Sequence, residues 1–136
     1  MDKLKAIIVD DEEFSRENLK ILIEENCPDI KVTGLAATVN EARNLINSLK
    51  PDVVFQDIRM PSGIEGLELI ESIKDRQFQV IFVTAFEEFA VRAFNSNAIH
   101  YILKPVDIEE LIKAESKLKA NFKNKNFQKI DLPKYV

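Results

Sequence analysis

Apolar residues in this chain fall into two rhythms that alternate five times. The first rhythm is the short run. Leu4 to Val9 is a strand apolar at its far end, and Val53-Val54-Phe55 and Val80-Ile81-Phe82-Val83 are apolar without a break, the mark of buried strands. Ile99 to Leu103 forms a further run carrying His100 and Tyr101. Ile30, Val32 and Gly34 alternate with Lys31 and Thr33, a period of two that predicts a half-exposed edge strand. The second rhythm is helical. Leu19, Leu22 and Ile23 predict a helix that ends before Pro28. Ala42, Leu45, Ile46 and Leu49 predict one that opens on the capping box Thr38-Val39-Asn40-Glu41 and closes at Pro51. Leu67, Ile70 and Ile73 mark a third. A fourth is predicted from about Glu87 to Asn95, burying Ala90, Ala93 and Phe94. The fifth opens on Asp107 and Glu110 as a cap pair and turns Leu111, Ala114, Leu118 and Phe122 inward.

Strand followed by helix, five times over, predicts an α/β fold with a parallel sheet, helices on both faces and right-handed crossovers. The amphipathic second strand belongs at an edge. The doubly wound, flavodoxin-like (βα)5 order 2-1-3-4-5 places it there and sets the first and third strands side by side at the switch point, where such sheets hold ligands.

The strand ends carry the chemistry. The first runs into Asp10-Asp11-Glu12-Glu13, and Asp11 or Glu12 is placed to cap the following helix. The third runs into Asp57 and must stop there, because Pro61 cannot continue a central strand. The fourth ends at Thr84 and the fifth at Lys104. Neighbouring strands lie about 4.8 Å apart, so Asp10, Asp11 and Asp57 are predicted to share one rim. Two carboxylates at about 5 Å repel by roughly 3 kcal/mol at an effective dielectric near 20. A hard divalent cation with oxygen ligands offsets that, and Mg²⁺ suits a site of a few carboxylates plus water. Asp57 is then the candidate nucleophile for a phosphoryl group, with the Thr84 hydroxyl as donor and Lys104 as counter-charge. Taken singly each has a plainer reading: Asp10 and Asp11 as helix caps, Thr84 as a strand-end cap, Lys104 as a surface lysine. Their agreement on one rim favours the chemical reading.

Composition trims the alternatives. With 136 residues the chain fits one domain, and no apolar run approaches the roughly 18 residues of a membrane helix. No signal-like segment precedes the first strand, and the single cysteine, Cys27, excludes an internal disulfide, so the cytoplasm is the expected compartment and no membrane partner is expected. The net charge of −4 divides into −8 over residues 1–118 and +4 over residues 119–136, which hold five lysines and one aspartate. An acidic body with a short basic tail is no nucleic-acid-binding surface; the tail reads as a solvated linker. His100, the only histidine, has no ligand cluster around it in the sequence.

Asp10-Asp11, Asp57-Ile58-Arg59-Met60-Pro61, Thr84-Ala85 and Lys104-Pro105, in this order and spacing, resemble the receiver domain of two-component response regulators over about residues 3–120. The resemblance implies that Asp57 takes a phosphoryl group from a phosphohistidine on a sensor histidine kinase. It implies that Asp11, Asp57 and the backbone carbonyl of Arg59 bind Mg²⁺, assisted by Asp10 through water, and that Lys104 pairs with the phosphoryl oxygens. Thr84 and Tyr101 become the switch pair, the bond before Pro105 is cis, and the positions of Arg59 and Phe86 tune the phosphoryl lifetime. The fourth helix, fifth strand and fifth helix form the face through which such domains dimerise, with Phe89 and Val91 expected on its outer side. A receiver of this kind is not an enzyme beyond its own phosphorylation and dephosphorylation.

The run from Thr84 to Phe94, followed by Ala98 to Pro105, is similar to receivers attached to LytTR-type (LytR/AlgR-like) DNA-binding domains. Lys129-Ile130-Asp131-Leu132-Pro133 resembles the opening of such a domain's first strand. Residues 1–120 are therefore expected to be the receiver and 121–136 a linker leading into an output domain, through which alone DNA would be bound. Two features depart from the family's pattern: Gln56, where many relatives are apolar, and a loop after Pro61 that is one residue longer. A haloacid-dehalogenase-like phosphatase needs a second acid two residues after the nucleophile, where Arg59 stands. A flavodoxin needs a phosphate-friendly first loop, where Asp10 to Glu13 stand. A pseudo-receiver would have lost part of the acid set, which is intact.

Overall fold

A computed structural model describes the backbone of residues 2–131, with side chains through Lys123. The elements are β1 (Leu4–Val9), α1 (Glu13–Asn26), β2 (Ile30–Ala36), α2 (Val39–Leu49), β3 (Val53–Gln56), α3 (Glu65–Ser72), β4 (Gln79–Thr84), α4 (Ala90–Asn95), β5 (His100–Leu103) and α5 (Ile108–Asp131). All pairings are parallel, and the sheet order is β2-β1-β3-β4-β5. The doubly wound order expected from the alternating rhythms is the observed one.

Alternation of side chains across the sheet divides the core in two. Ala6, Ile8, Phe55, Ile81 and Ile102 pack beneath α1 and α5, with Leu19, Ile23, Leu111, Ala114 and Leu118. Ile7, Val9, Val54, Val80 and Phe82 pack beneath α2, α3 and α4, with Ala42, Leu67, Ile70 and Ala93. No helix among the described residues is long and apolar enough to cross a membrane.

Several helix ends differ from expectation. Glu12 occupies the N-cap of α1 but makes no side-chain cap bond; Asp10 Oδ1 accepts from Glu12 N instead, at 2.9 Å. Thr38 caps α2 as expected, accepting from Glu41 N at 3.1 Å, while the Glu41 carboxylate reaches Ala37 N. Asp107 accepts from Glu109 N, but its expected partner Glu110 turns to His100 and Lys113. The fourth helix starts at Ala90 rather than Glu87. Its predicted inward residue Phe94 is 60% exposed, and only Ala93 is buried. Six residues make less than two turns, too few for a period to fix which face turns inward. Phe89, expected outside, packs against the core, and Val91 is exposed as expected.

The expected linker is helical as far as it is described. With no glycine or proline between Val106 and Pro133, nothing local stops α5, which continues through Lys129, Ile130 and Asp131. Leu132 and Pro133, the remainder of the strand-like motif, lie outside the described residues.

Candidate functional site

The parallel register brings the strand ends to one rim. Val9 pairs with Gln56, so Asp10 and Asp57 follow side by side; Asp57 N donates to Val9 O at 2.9 Å and Asp10 N to Ala36 O at 3.0 Å. Thr84 pairs with Leu103, and Lys104 N donates to Thr84 O at 2.8 Å. Asp10, Asp57, Thr84 and Lys104 are thus each the last residue of a strand or the first one beyond it, and Asp11 follows one position later.

Asp10 and Asp57 are buried, at 4% and 6% exposure, and Asp11 is the solvent-facing member. One carboxylate oxygen from each lies within 4.8 Å of the others. The Lys104 ammonium spans two of them, at 2.7 Å from Asp10 Oδ2 and 3.3 Å from Asp57 Oδ2. Burial pushes the Asp57 carboxyl up to about 6; Lys104 pulls against this and Asp10 adds to it. Burial also pulls the Lys104 ammonium down, but its bonds to Asp10 and Asp57 outweigh that and hold it above the usual lysine range. One ammonium among three acids leaves the rim negative, and a small all-oxygen donor set of this kind fits a hard divalent cation such as Mg²⁺.

Around the acids the loops are tied together. Gly66 opens α3 against the β3 tip so closely that a Cβ there would lie 1.8 Å from Asp57 O, a position only glycine can fill. Gly66 N donates to Ile58 O at 2.9 Å. Arg59 stacks its guanidinium over the Phe86 ring at 4.5 Å from the centroid. Phe86 N donates to Thr84 Oγ1 at 3.4 Å, and the Tyr101 hydroxyl donates to Phe86 O. Burial pushes that hydroxyl up to about 12. Thr84 is fully buried, and Tyr101 is half-buried against Phe82. Thr84 and Tyr101 therefore meet through one intermediary, the backbone of Phe86. Both Lys104-Pro105 and Met60-Pro61 are cis peptides.

Two of the sequence's singular residues lie away from the rim. His100 bonds through Nε2 to Glu110 at 3.0 Å and through Nδ1 to Lys117 at 2.8 Å, tying β5 to α5. Cys27 ends α1 in the core, where burial pushes its thiol up to about 12, far from a reactive thiolate. Two residues escaped sequence reasoning as parts of the site. Gly66 was legible only as a loop glycine. Gln56 stands out in the sequence only as a departure from the family's pattern; its Nε2 donates to Asp57 O at 2.9 Å and meets Met60 Sδ at 3.3 Å, while its Oε1 is buried with no partner. An unpaired buried acceptor costs about 1–3 kcal/mol.

A buried aspartate at a parallel-strand tip, flanked by two acids and a lysine, offers a carboxylate beside a fixed positive charge. Known proteins agree with the arrangement. The family model for the response regulator receiver domain matches residues 6–115. A response regulatory protein of Vibrio cholerae is 42% identical over 131 residues, covering 96% of this chain and 54% of its own length. The transcriptional regulatory protein BtsR of Shigella flexneri is 39% identical over 117 residues, covering 85% and 48%. This chain thus spans about half the length of the curated relatives it matches. Among crystal structures, the response regulatory domain of protein mrkE from Klebsiella pneumoniae superposes with a TM-score of 0.78 at 30% identity, covering 89% of this chain and 99% of that one. A LuxR-family DNA-binding response regulator from Staphylococcus aureus gives 0.75 at 30%, covering 85% and 98%. Strand order, acid rim and sequence relatives converge: this chain belongs to the response regulator receiver family.

Proposed function

We propose that this chain is a phosphorylation-gated switch in which Asp57 accepts a phosphoryl group from a phosphohistidine of a sensor histidine kinase. The observation that carries the reading is the buried Asp57 carboxylate with Asp10 and Asp11 within 4.8 Å and the Lys104 ammonium at 3.3 Å. An Asp57 carboxylate oxygen attacks phosphorus. The new O–P bond forms as the P–N bond breaks, and the imidazole leaves with that electron pair and takes up a proton. Lys104 then faces the phosphoryl oxygens, and the Thr84 hydroxyl supplies a donor. Bound by Asp10, Asp11, Asp57 and the Arg59 carbonyl, Mg²⁺ would neutralise negative charge on the transferring group. In this reading the protein promotes only its own phosphorylation and dephosphorylation. Transfer of radiolabel from an autophosphorylated histidine kinase tests the reading: label should pass to wild-type protein and not to Asp57→Asn. Labelling of both forms alike would place the acceptor elsewhere.

The readout in this proposal runs through Thr84, Phe86 and Tyr101 to α4. A new phosphoryl oxygen accepts from the Thr84 hydroxyl and draws it away from Phe86 N, and Tyr101 gives up its bond to Phe86 O as that loop moves. The α4-β5-α5 face exposes Val91, Phe94, Leu103, Ile108 and Ile112, an apolar set fit for a homodimer favoured by phosphorylation. Light scattering over a concentration series, with and without beryllofluoride, should show dimer in the treated sample; monomer in both would remove the dimer from the account. The output would be transcriptional, through a DNA-binding domain beyond this chain, with the whole acting in the cytoplasm. We assign that domain to the LytTR type on the run from Thr84 to Pro105. The relatives include a LuxR-family regulator, so they do not select the type.

A further inference from the structure

Among the described residues, Gln56 Oε1 is the buried side-chain atom left without a hydrogen-bond partner. Gln56 lies in β3, fully buried on the side of the sheet covered by α3, where an aliphatic residue would pack without a polar atom to satisfy. Its amide nitrogen, by contrast, is fully engaged. It donates to Asp57 O and meets Met60 Sδ. Turning the amide over would press Oε1 against the Asp57 carbonyl oxygen, so the acceptor dictates the orientation and the orphaned oxygen is its consequence.

The same small region is closed from the other side. Gly66 N donates to Ile58 O, and the Gly66 Cα sits where a Cβ would meet Asp57 O at 1.8 Å and Gln56 Nε2 at 2.8 Å. Two consecutive carbonyls, those of Asp57 and Ile58, are therefore drawn toward α3. Peptide planes are rigid, so fixing these two fixes how the chain leaves β3. The Asp57 carboxylate stands at the start of that turn and the Arg59 carbonyl follows it.

We propose that Gln56 is a positioning residue for the phosphoryl site: its amide locks the turn from Asp57 to Met60 so that the Asp57 carboxylate and the Arg59 carbonyl are presented together to a divalent cation. The inference rests on the reading of the rim as a Mg²⁺-dependent phosphoryl acceptor. It accounts for a polar residue kept in an apolar strand at the cost of an unsatisfied oxygen.

The test compares the full chain with Gln56→Leu and Gln56→Met in three measurements: calorimetric Mg²⁺ titration, urea unfolding in EDTA, and the rate of Asp57 labelling by a small phosphoryl donor as a function of Mg²⁺. Both variants should unfold close to the wild-type midpoint, because the orphaned Gln56 oxygen is gone while the Asp57 carbonyl loses its donor. Their Mg²⁺ affinity should fall by about tenfold, the lower end of what outer-shell partners contribute. Labelling should return to the wild-type rate at saturating Mg²⁺, since the nucleophile is intact. Unchanged Mg²⁺ affinity in both variants would overturn the proposal. So would an affinity that falls only in step with the unfolding midpoint, which would make the amide a packing element. Wild-type protein that neither binds Mg²⁺ nor takes a phosphoryl group would instead sink the underlying reading, and shows itself without either variant.

Discussion

At one end of the rim, Asp10 and Asp57 are carried on β1 and β3, strands with a neighbour on both sides and no exposed residue at their tips. At the other end, Tyr101 lies on the edge strand β5, and α4 beside it buries a single residue. The acids are placed by backbone ladders and by the close approach of Gly66. The α4 region is held by side chains. Arg92 forms a two-bond ion pair with Glu71, and Arg76 reaches both Ile70 O and Ser96 O. Phe86 is gripped by Arg59 and Tyr101. One end is built to keep charged groups in a fixed geometry. The other has little apolar burial to lose on moving, the kind of region that opens first.

Breaking the rigid end should cost most. Gly66→Ala drives a methyl group into the Asp57 carbonyl and should destabilise the fold by about 3 kcal/mol, read by urea unfolding, because the obstacle is backbone that cannot step aside. Asp57→Asn should act in the opposite sense in EDTA. The folded-state carboxyl is raised to about 6 against an ordinary 3.8. Its favourable, protonated state is complete below the lower value and is lost as pH rises through the higher. At pH 7 the variant should therefore be the more stable protein, by at most about 3 kcal/mol, with the gap closing toward pH 4. Thermal unfolding at the two pH values checks this; a gap independent of pH would contradict it.

The loosely held end should answer differently. Arg92→Ala removes an exposed ion pair and should leave the urea-unfolding midpoint nearly unchanged. Amide exchange in α4 should nonetheless quicken, while exchange in β1 and β3 stays unchanged. Equal quickening in both would mean that the two ends are held alike. Smallest of all, Val91→Ser, at a position 73% exposed, should leave the stability of the monomer unaltered and weaken only the dimer formed with beryllofluoride.

The rigid end was the legible one. Apolar runs ending in Asp10, Asp57, Thr84 and Lys104 announce strand tips, and parallel topology then has only one rim on which to gather them. The loose end was not, because its structure is set by contacts across the fold. Nothing in the stretch from Ala85 to Phe89 forbids helix; the loop is held open by Tyr101 from β5 and by Arg59 from the β3–α3 turn. Phe94 looked like core because it is aromatic and helical, yet α4 is too short for spacing to fix its face. The bonds of His100 to Glu110 and Lys117 join β5 to α5, and spacing within either element carries no sign of them. Gly66 and Gln56 matter through the Asp57 carbonyl, a backbone atom that no sequence pattern displays.

The central claim is most directly tested by intact-mass spectrometry after incubation with a small phosphoryl donor, with and without Mg²⁺, on wild-type protein and Asp57→Asn. The account predicts one added phosphoryl group in the wild-type protein with Mg²⁺, and none without the metal or in the variant. No addition to the wild-type protein under any condition, or addition that persists in Asp57→Asn, would contradict it.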